Sequence, residues 1–208
     1  MHDTHEAIRH FKIAIQKEDE EQSLYQLALY GEQGIEISED EMMDYLLRSA
    51  KKGYSPALVK YAYYLENGIY VEKDYQMAYE YYLSACQKQN REGFYHLGRW
   101  FFYGIGQKED KQKAMQYYKQ ASDYHYSKAS FMLGYMYHYG DGTSKDLKKA
   151  KDILLTIIEK NPNNYNAHKF LAEIYEKEGG IRKAIDEYVR CIEINKQDYD
   201  SYYKIATL

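Results

Sequence analysis

Two serines stand one helical turn ahead of a lysine, in Ser49-x-x-Lys52 and Ser201-x-x-Lys204. At that spacing an amine could take the proton of a nucleophilic hydroxyl for acyl transfer. Neither pair is followed by the S-D-N or K-T-G segments that complete such a site in penicillin-recognising enzymes, and both fall where a repeat already calls for a small residue and a helix-end charge. Gly104-Ile105-Gly106 and Gly140-Asp141-Gly142 carry the flexible backbone that can cradle phosphate. Neither completes G-x-x-x-x-G-K-[ST] or follows a strand pattern, so both read as helix stops. His2, His5 and His10 crowd the first helical segment, where an i, i+5 pair shares a face poorly and no cysteine or fixed carboxylate joins them. His125 stands singly at a helix end. No catalytic residue, no metal site and no cofactor is expected.

The remaining chemistry is that of recognition. Tyr63, Tyr95, Arg99, Phe102, Tyr103, Met132, Tyr135, His138, Tyr139 and Lys169 are not required by the packing repeat, and Tyr25, Phe131 and Tyr203 fall at related places. Tyrosine and arginine are the side chains that interface hot spots favour. The competing reading is an ordinary core between repeats, above all for Phe102 and Phe131.

The elements that position these residues recur about every 36 residues. Small residues come at Ser23, Ala57, Gly93, Ala129, Ala167 and Ser201, followed four places on by Leu27, Tyr61, Leu97, Leu133, Leu171 and Ile205. A second small column follows at Ala28, Ala62, Gly98, Gly134, Ala172 and Ala206. This spacing is one face of a helix, here called helix A, and Gly34, Gly68, Gly104 and Gly140 each end it six residues later. A second helix, helix B, is announced by an acid four places before a small residue, in Asp3/Ala7, Asp74/Ala78, Asp110/Ala114 and Asp146/Ala150. Aspartate there is an N-cap, and in the first full unit the S-x-x-E spacing of Ser38 and Glu41 predicts a capping box instead. Helix B buries a ridge of Phe11 and Ala14, Leu47 and Ala50, Tyr82 and Ala85, Tyr118 and Ala121, Leu154 and Ile157, and Tyr188 and Cys191. Close helix approach is expected at Gly98 and Gly134.

The period predicts a solenoid, in which each unit buries its apolar face only against its neighbours. The 208 residues carry a net charge of -4, which disfavours a nucleic-acid footprint over the whole molecule. Met1 to Leu47 hold twelve acids against three bases, a balance of -9 that leaves +5 for the rest, an asymmetry that could orient a partner. No apolar run reaches the roughly 20 residues of a membrane span, and the start lacks the layout of a secretory signal. Cys86 and Cys191, the only cysteines, lie three repeats apart, too far for a disulfide between stacked helices. A cytoplasmic chain with reduced thiols is expected, with no membrane or nucleic-acid partner.

Segments such as SPALVKYAYYLENGIYVEKDYQMAYEYYLSA and SKASFMLGYMYHYGDGTSKDLKKA resemble the Sel1-like repeat, A-x3-L-G-x2-Y-x2-G-x-G-V, then D-x2-K-A and a closing A-A. The likeness spans roughly Ser23 to Asn161, and it departs where the second loop glycine, present at Gly106 and Gly142, is Tyr70. From Asn161-Pro162 onward, NPNNYNAHKFLAEIYEKEGGIRKAIDEYVRCIEIN resembles a tetratricopeptide repeat. The resemblance implies an all-α, right-handed superhelix of antiparallel helix pairs, about five units plus terminal half-units. It would form one domain over 1–208, with a half-unit helix at 1–20, Sel1-like repeats at 21–161, and a tetratricopeptide-like unit with a closing half-unit at 162–208. It further implies a non-enzymatic scaffold that holds a peptide or partner helix on a concave face lined by helix A, with Glu32, Glu66 and Glu176 at the rim. Two other functions stay open. Half-units at the ends could stack copies into a homo-oligomer, and some secreted, cysteine-rich relatives suggest a hydrolase, although their paired cysteines have no counterpart in this sequence.

Overall fold

A computed structural model describes residues 2–18 and 20–208, the side chains of His2, Asp3 and Glu18 excepted, so the expected cap at Asp3 and the part of His2 in the histidine cluster lie outside what is described. Among the described residues there are twelve α-helices and no strand. In order these are α1 (His2–Glu18), α2 (Glu21–Glu32), α3 (Glu39–Lys51), α4 (Ser55–Asn67), α5 (Tyr75–Gln87), α6 (Arg91–Tyr103), α7 (Lys111–Asp123), α8 (Ser127–Tyr139), α9 (Leu147–Lys160), α10 (Tyr165–Lys177), α11 (Ile181–Ile194) and α12 (Tyr199–Thr207). Even-numbered helices carry the helix A pattern and odd-numbered ones the helix B pattern. Among the described residues no helix is long and apolar enough to cross a membrane.

The contacts gather the chain into two compact units, residues 1–100 with 104–108, and residues 101–103 with 109–208. The division falls inside α6. In the first unit the small column Ser23, Ala57 and Gly93 is buried, as are Leu27, Tyr61 and Leu97 four residues on. In the second unit the same holds for Ala129, Ala167 and Ser201, and for Leu133 and Leu171, while Ile205 is half-buried.

Helix boundaries follow local chemistry. Asp74, Asp110 and Asp146 each accept a hydrogen bond at 2.9 Å from the amide three residues on, which satisfies an orphan donor of α5, α7 and α9. Ser38 and Glu41 form the expected capping box of α3. Helix A pieces are capped differently, by Asn90, Asn164 and Asp198. Gly68, Gly104 and Gly140 end α4, α6 and α8 in the left-handed conformation. Tyr70 takes that same conformation (φ 62) where Gly106 and Gly142 stand in later units, and its ring packs edge-on to Tyr64 at 5.2 Å.

Three features differ from the sequence reading. In α3 the fully buried residue is Leu46, not Leu47, which is half-buried. The helix starts from Ser38, so Met42, Leu46 and Ser49 fall on its inner face in the same register as Ala78, Tyr82 and Ala85 after Asp74. Among the described side chains of α1 the buried residue is Ile8, while Phe11 and Ala14 are half-buried. The tightest described approach between α5 and α6 is at Gly93. A Cβ there would stand 2.9 Å from Ala85 Cβ and 3.3 Å from the Tyr82 carbonyl, whereas at Gly134 the nearest atoms are 3.6 Å away.

Candidate functional site

The helix A positions nine residues after the first small column are Glu32, Glu66, Phe102, His138 and Glu176. In the first unit Glu66 is 5 % exposed, and its carboxylate accepts hydrogen bonds from the Tyr82 hydroxyl at 2.8 Å and the Trp100 indole at 3.1 Å. The Arg99 guanidinium lies 3.6 Å from its other oxygen. Burial, then the adjacent Glu66 carboxylate, raises the Tyr82 phenol far above its ordinary range, so it stays a donor. The His96 Nδ1 lies 3.2 Å from the phenol oxygen and 3.4 Å from the Arg99 guanidinium, and the Tyr82 and His96 rings stack at 4.9 Å.

Glu32 is held in a related way, by the Tyr64 hydroxyl at 2.6 Å and the Lys60 ammonium at 2.6 Å. In the second unit Glu176 accepts from the Tyr188 hydroxyl at 3.0 Å and from Lys204 at 3.1 Å. In each case the cation lies on the next helix A, whereas the tyrosine lies on that same helix for Glu32 and within the carboxylate's own helix pair for Glu66 and Glu176. Their charge is largely spent within the fold.

The sequence-derived recognition residues separate into two sets. In the first unit Tyr63 is exposed, Tyr95 is half-buried, and both rings contact His96, at 6.2 and 5.6 Å. Arg99, beside them, is committed to Glu66.

The second unit holds an aromatic cluster. Tyr135 contacts Phe102 at 6.0 Å, Tyr139 at 4.7 Å and Phe170 at 5.9 Å, while Phe131 meets Phe170 at 5.4 Å. Phe102 and His138, at 4 % and 0 % exposure, lie inside the packing and present no surface. Met132 is half-buried. Tyr103 and Tyr139 are 56 % and 50 % exposed and occupy the same place, one residue before the glycine cap of α6 and α8.

His138 is pulled down to about 4 by burial, and secondarily by Lys177 and Lys145. Its neutral ring accepts from the Lys177 ammonium at Nε2 over 3.1 Å, even though a Glu173 oxygen lies 3.6 Å away; burial and the nearer ammonium outweigh that carboxylate. Lys177 also stands 6.0 Å from the centre of the Tyr139 ring. Lys169 bonds Asp200 at 2.6 Å and Asp198 at 3.4 Å. Burial disfavours its ammonium, but the bond to Asp200 and the nearby Tyr165 and Asp198 raise it above the ordinary lysine range. Sequence reasoning missed Phe170, Glu173 and Lys177 as members of this cluster. The available signal was the match between the position nine residues after the first small column and the position three residues after that column in the following unit, which pairs Glu32 with Lys60, His138 with Phe170 and Glu176 with Lys204.

The Sel1 repeat family model matches residues 55–90, 95–123 and 127–155. Residues 55–155 thus carry three Sel1-like repeats. Sel1 and tetratricopeptide-like repeats serve in general as protein-interaction scaffolds. Similar solved structures include c5321, a protective antigen of uropathogenic Escherichia coli strains with an SLR fold (TM-score 0.84, 22% identity), and a Sel1 repeat protein from Oxalobacter formigenes (TM-score 0.76, 24% identity). Each match takes in 97% of this chain, but only 43% of the first structure and 77% of the second. YrrB, a TPR protein with an unusual peptide-binding site, matches at a TM-score of 0.59 and 16% identity over 95% of this chain and 98% of its own. At these identities the likeness is one of fold, an all-α helical repeat. No curated protein sequence matches the chain.

Proposed function

We propose that this Sel1-like chain is a non-enzymatic scaffold that holds an extended peptide or a partner helix against the helix A face of its second unit. The observation that carries this reading is the pair Tyr103 and Tyr139, half or more exposed, set on a platform of buried or half-buried rings. Rings fixed by their neighbours offer contact area at low entropic cost, and their hydroxyls remain free to choose a register. Phe102 and His138 support the platform from beneath, and Tyr135 lies at its edge. Lys177, next to Tyr139, favours an acidic group in the partner. Tyr63 and Tyr95 in the first unit offer a smaller aromatic surface of the same kind.

The test is a triple variant, Tyr103→Ala, Tyr135→Ala and Tyr139→Ala, compared with wild type in affinity capture from the source cell. Recovery of the partners seen with wild type should fall at least tenfold while helicity is kept. Unchanged recovery would move the binding surface elsewhere.

A further inference from the structure

Behind α8, on the side formed with the end of α7 and with α9, a cavity of about 300 Å³ is lined by Ser122, His125, Ser127, Ser130, Ile153, Thr156, Ile157 and Lys160. None of these residues takes part in the face described above. The cavity lies wholly within the second unit.

The repeat explains why the cavity is there. Ser130 occupies the position that Leu24, Leu58, Phe94 and His168 hold in other units, where each is buried at 8 % exposure or less. Ile153 stands where α3, α5 and α7 carry Tyr45, Tyr81 and Tyr117. Two walls of one cavity are thus built from smaller side chains than the repeat elsewhere supplies, where close packing would ordinarily refill such a space.

The lining is chemically divided. Ile153 and Ile157 form an apolar floor. Ser122 and Ser130 bond to each other at 2.7 Å, which uses one hydroxyl proton and leaves the other. The Ser127 hydroxyl, the His125 ring and the Lys160 ammonium have no side-chain partner among the described residues, and no carboxylate lines the space. The N-cap of α8, Tyr126, makes no side-chain bond to the first-turn amides beside Ser127.

We infer that this cavity binds a small organic carboxylate with a short branched aliphatic body. The carboxylate takes the Ser127 and Ser122/Ser130 hydroxyl donors with Lys160 as counter-charge, and the aliphatic end lies on Ile153 and Ile157. A free short-chain acid and the C-terminal carboxylate of a peptide ending in leucine present this same chemistry.

The test is titration of the full chain with 4-methylpentanoate, with its uncharged amide, and with short peptides ending in free or amidated leucine, read by amide NMR shifts and calorimetry. The acid should perturb the amides around Ser127, Ser130 and Ile157 and bind at least tenfold more tightly than the amide. Ser130→Leu, which restores the side chain of Leu24 and Leu58, should abolish binding with a melting midpoint at or above wild type. Lys160→Gln, at an exposed helix end, should weaken binding about fivefold or more without any change in fold. A free-acid peptide that outbinds 4-methylpentanoate assigns the site to a chain terminus, and equal affinity assigns it to the small acid. No shift at these amides, equal affinity for acid and amide, or binding that survives Ser130→Leu would each overturn the inference.

Discussion

Replacing Gly93 and Gly134 separately by alanine should move stability in opposite directions, although both glycines are buried and helical. Alanine in a helix interior is worth about 1 kcal/mol over glycine from propensity and unfolded-state entropy alone. At Gly134 nothing opposes this gain, because the new methyl would meet Ile153 and Leu154 side chains at 3.6 Å, an ordinary contact. At Gly93 the methyl would stand 2.9 Å from Ala85 Cβ, 3.3 Å from the Tyr82 carbonyl oxygen and 3.4 Å from the Cys86 amide. Two of those three atoms are backbone and cannot rotate away, so α5 and α6 must separate, at about 1–3 kcal/mol. Gly93 also sits in the first turn of α6, where the propensity gain is smallest. The net expectation is about 0.5–1 kcal/mol of stabilisation for Gly134→Ala and about 0.5–2 kcal/mol of destabilisation for Gly93→Ala. Urea unfolding followed by far-ultraviolet circular dichroism measures both. Gly93→Ala as stable as wild type, or Gly134→Ala less stable, would refute the account of how the small columns set helix approach.

Two further outcomes test the buried polar groups. Glu66→Ala removes the acceptor of Tyr82 and Trp100 and should cost about 2–4 kcal/mol; because Trp100 is the only tryptophan, a red shift of its emission reports the change directly. His138, depressed to about 4 from an ordinary 6.5, binds fewer protons folded than unfolded, so its contribution is fully present above about pH 6.5 and is lost as pH falls toward 4. The loss should reach about 1–3 kcal/mol, and His138→Phe, which copies Phe102 of the preceding unit, should flatten that part of the stability profile; an unchanged slope would show that His138 is not its source.

Much of the fold was legible because its determinants are local or periodic. The small residue and the leucine or tyrosine four places on lie on one helix face whatever surrounds them, and an aspartate before the first turn caps it without tertiary help. Leu47 was misplaced by one residue because its neighbour Leu46 is equally apolar, and only the start point at Ser38 decides which turns inward. The candidate site was legible less well. Composition and spacing mark Tyr103, His138 and Tyr139 alike, but their exposure depends on what faces them: Phe170 and Lys177 close over His138, while Tyr139, the next residue round the helix, stays open. Glu66 reads as a rim charge in sequence, yet Tyr82 and Trp100, 16 and 34 residues distant, converge on it. The Ser130 cavity is an absence of side-chain volume, visible only when its column is compared across units.

The most direct test of the scaffold reading is site-specific photocrosslinking in the source cell, with the crosslinking residue placed in turn at Tyr103, at Tyr139 and, as a control, at the exposed Lys119 of α7. The account expects mass spectrometry to find the same partner segment joined to positions 103 and 139 and not to 119. Crosslinks of equal yield at all three positions, or none at 103 and 139, would contradict it.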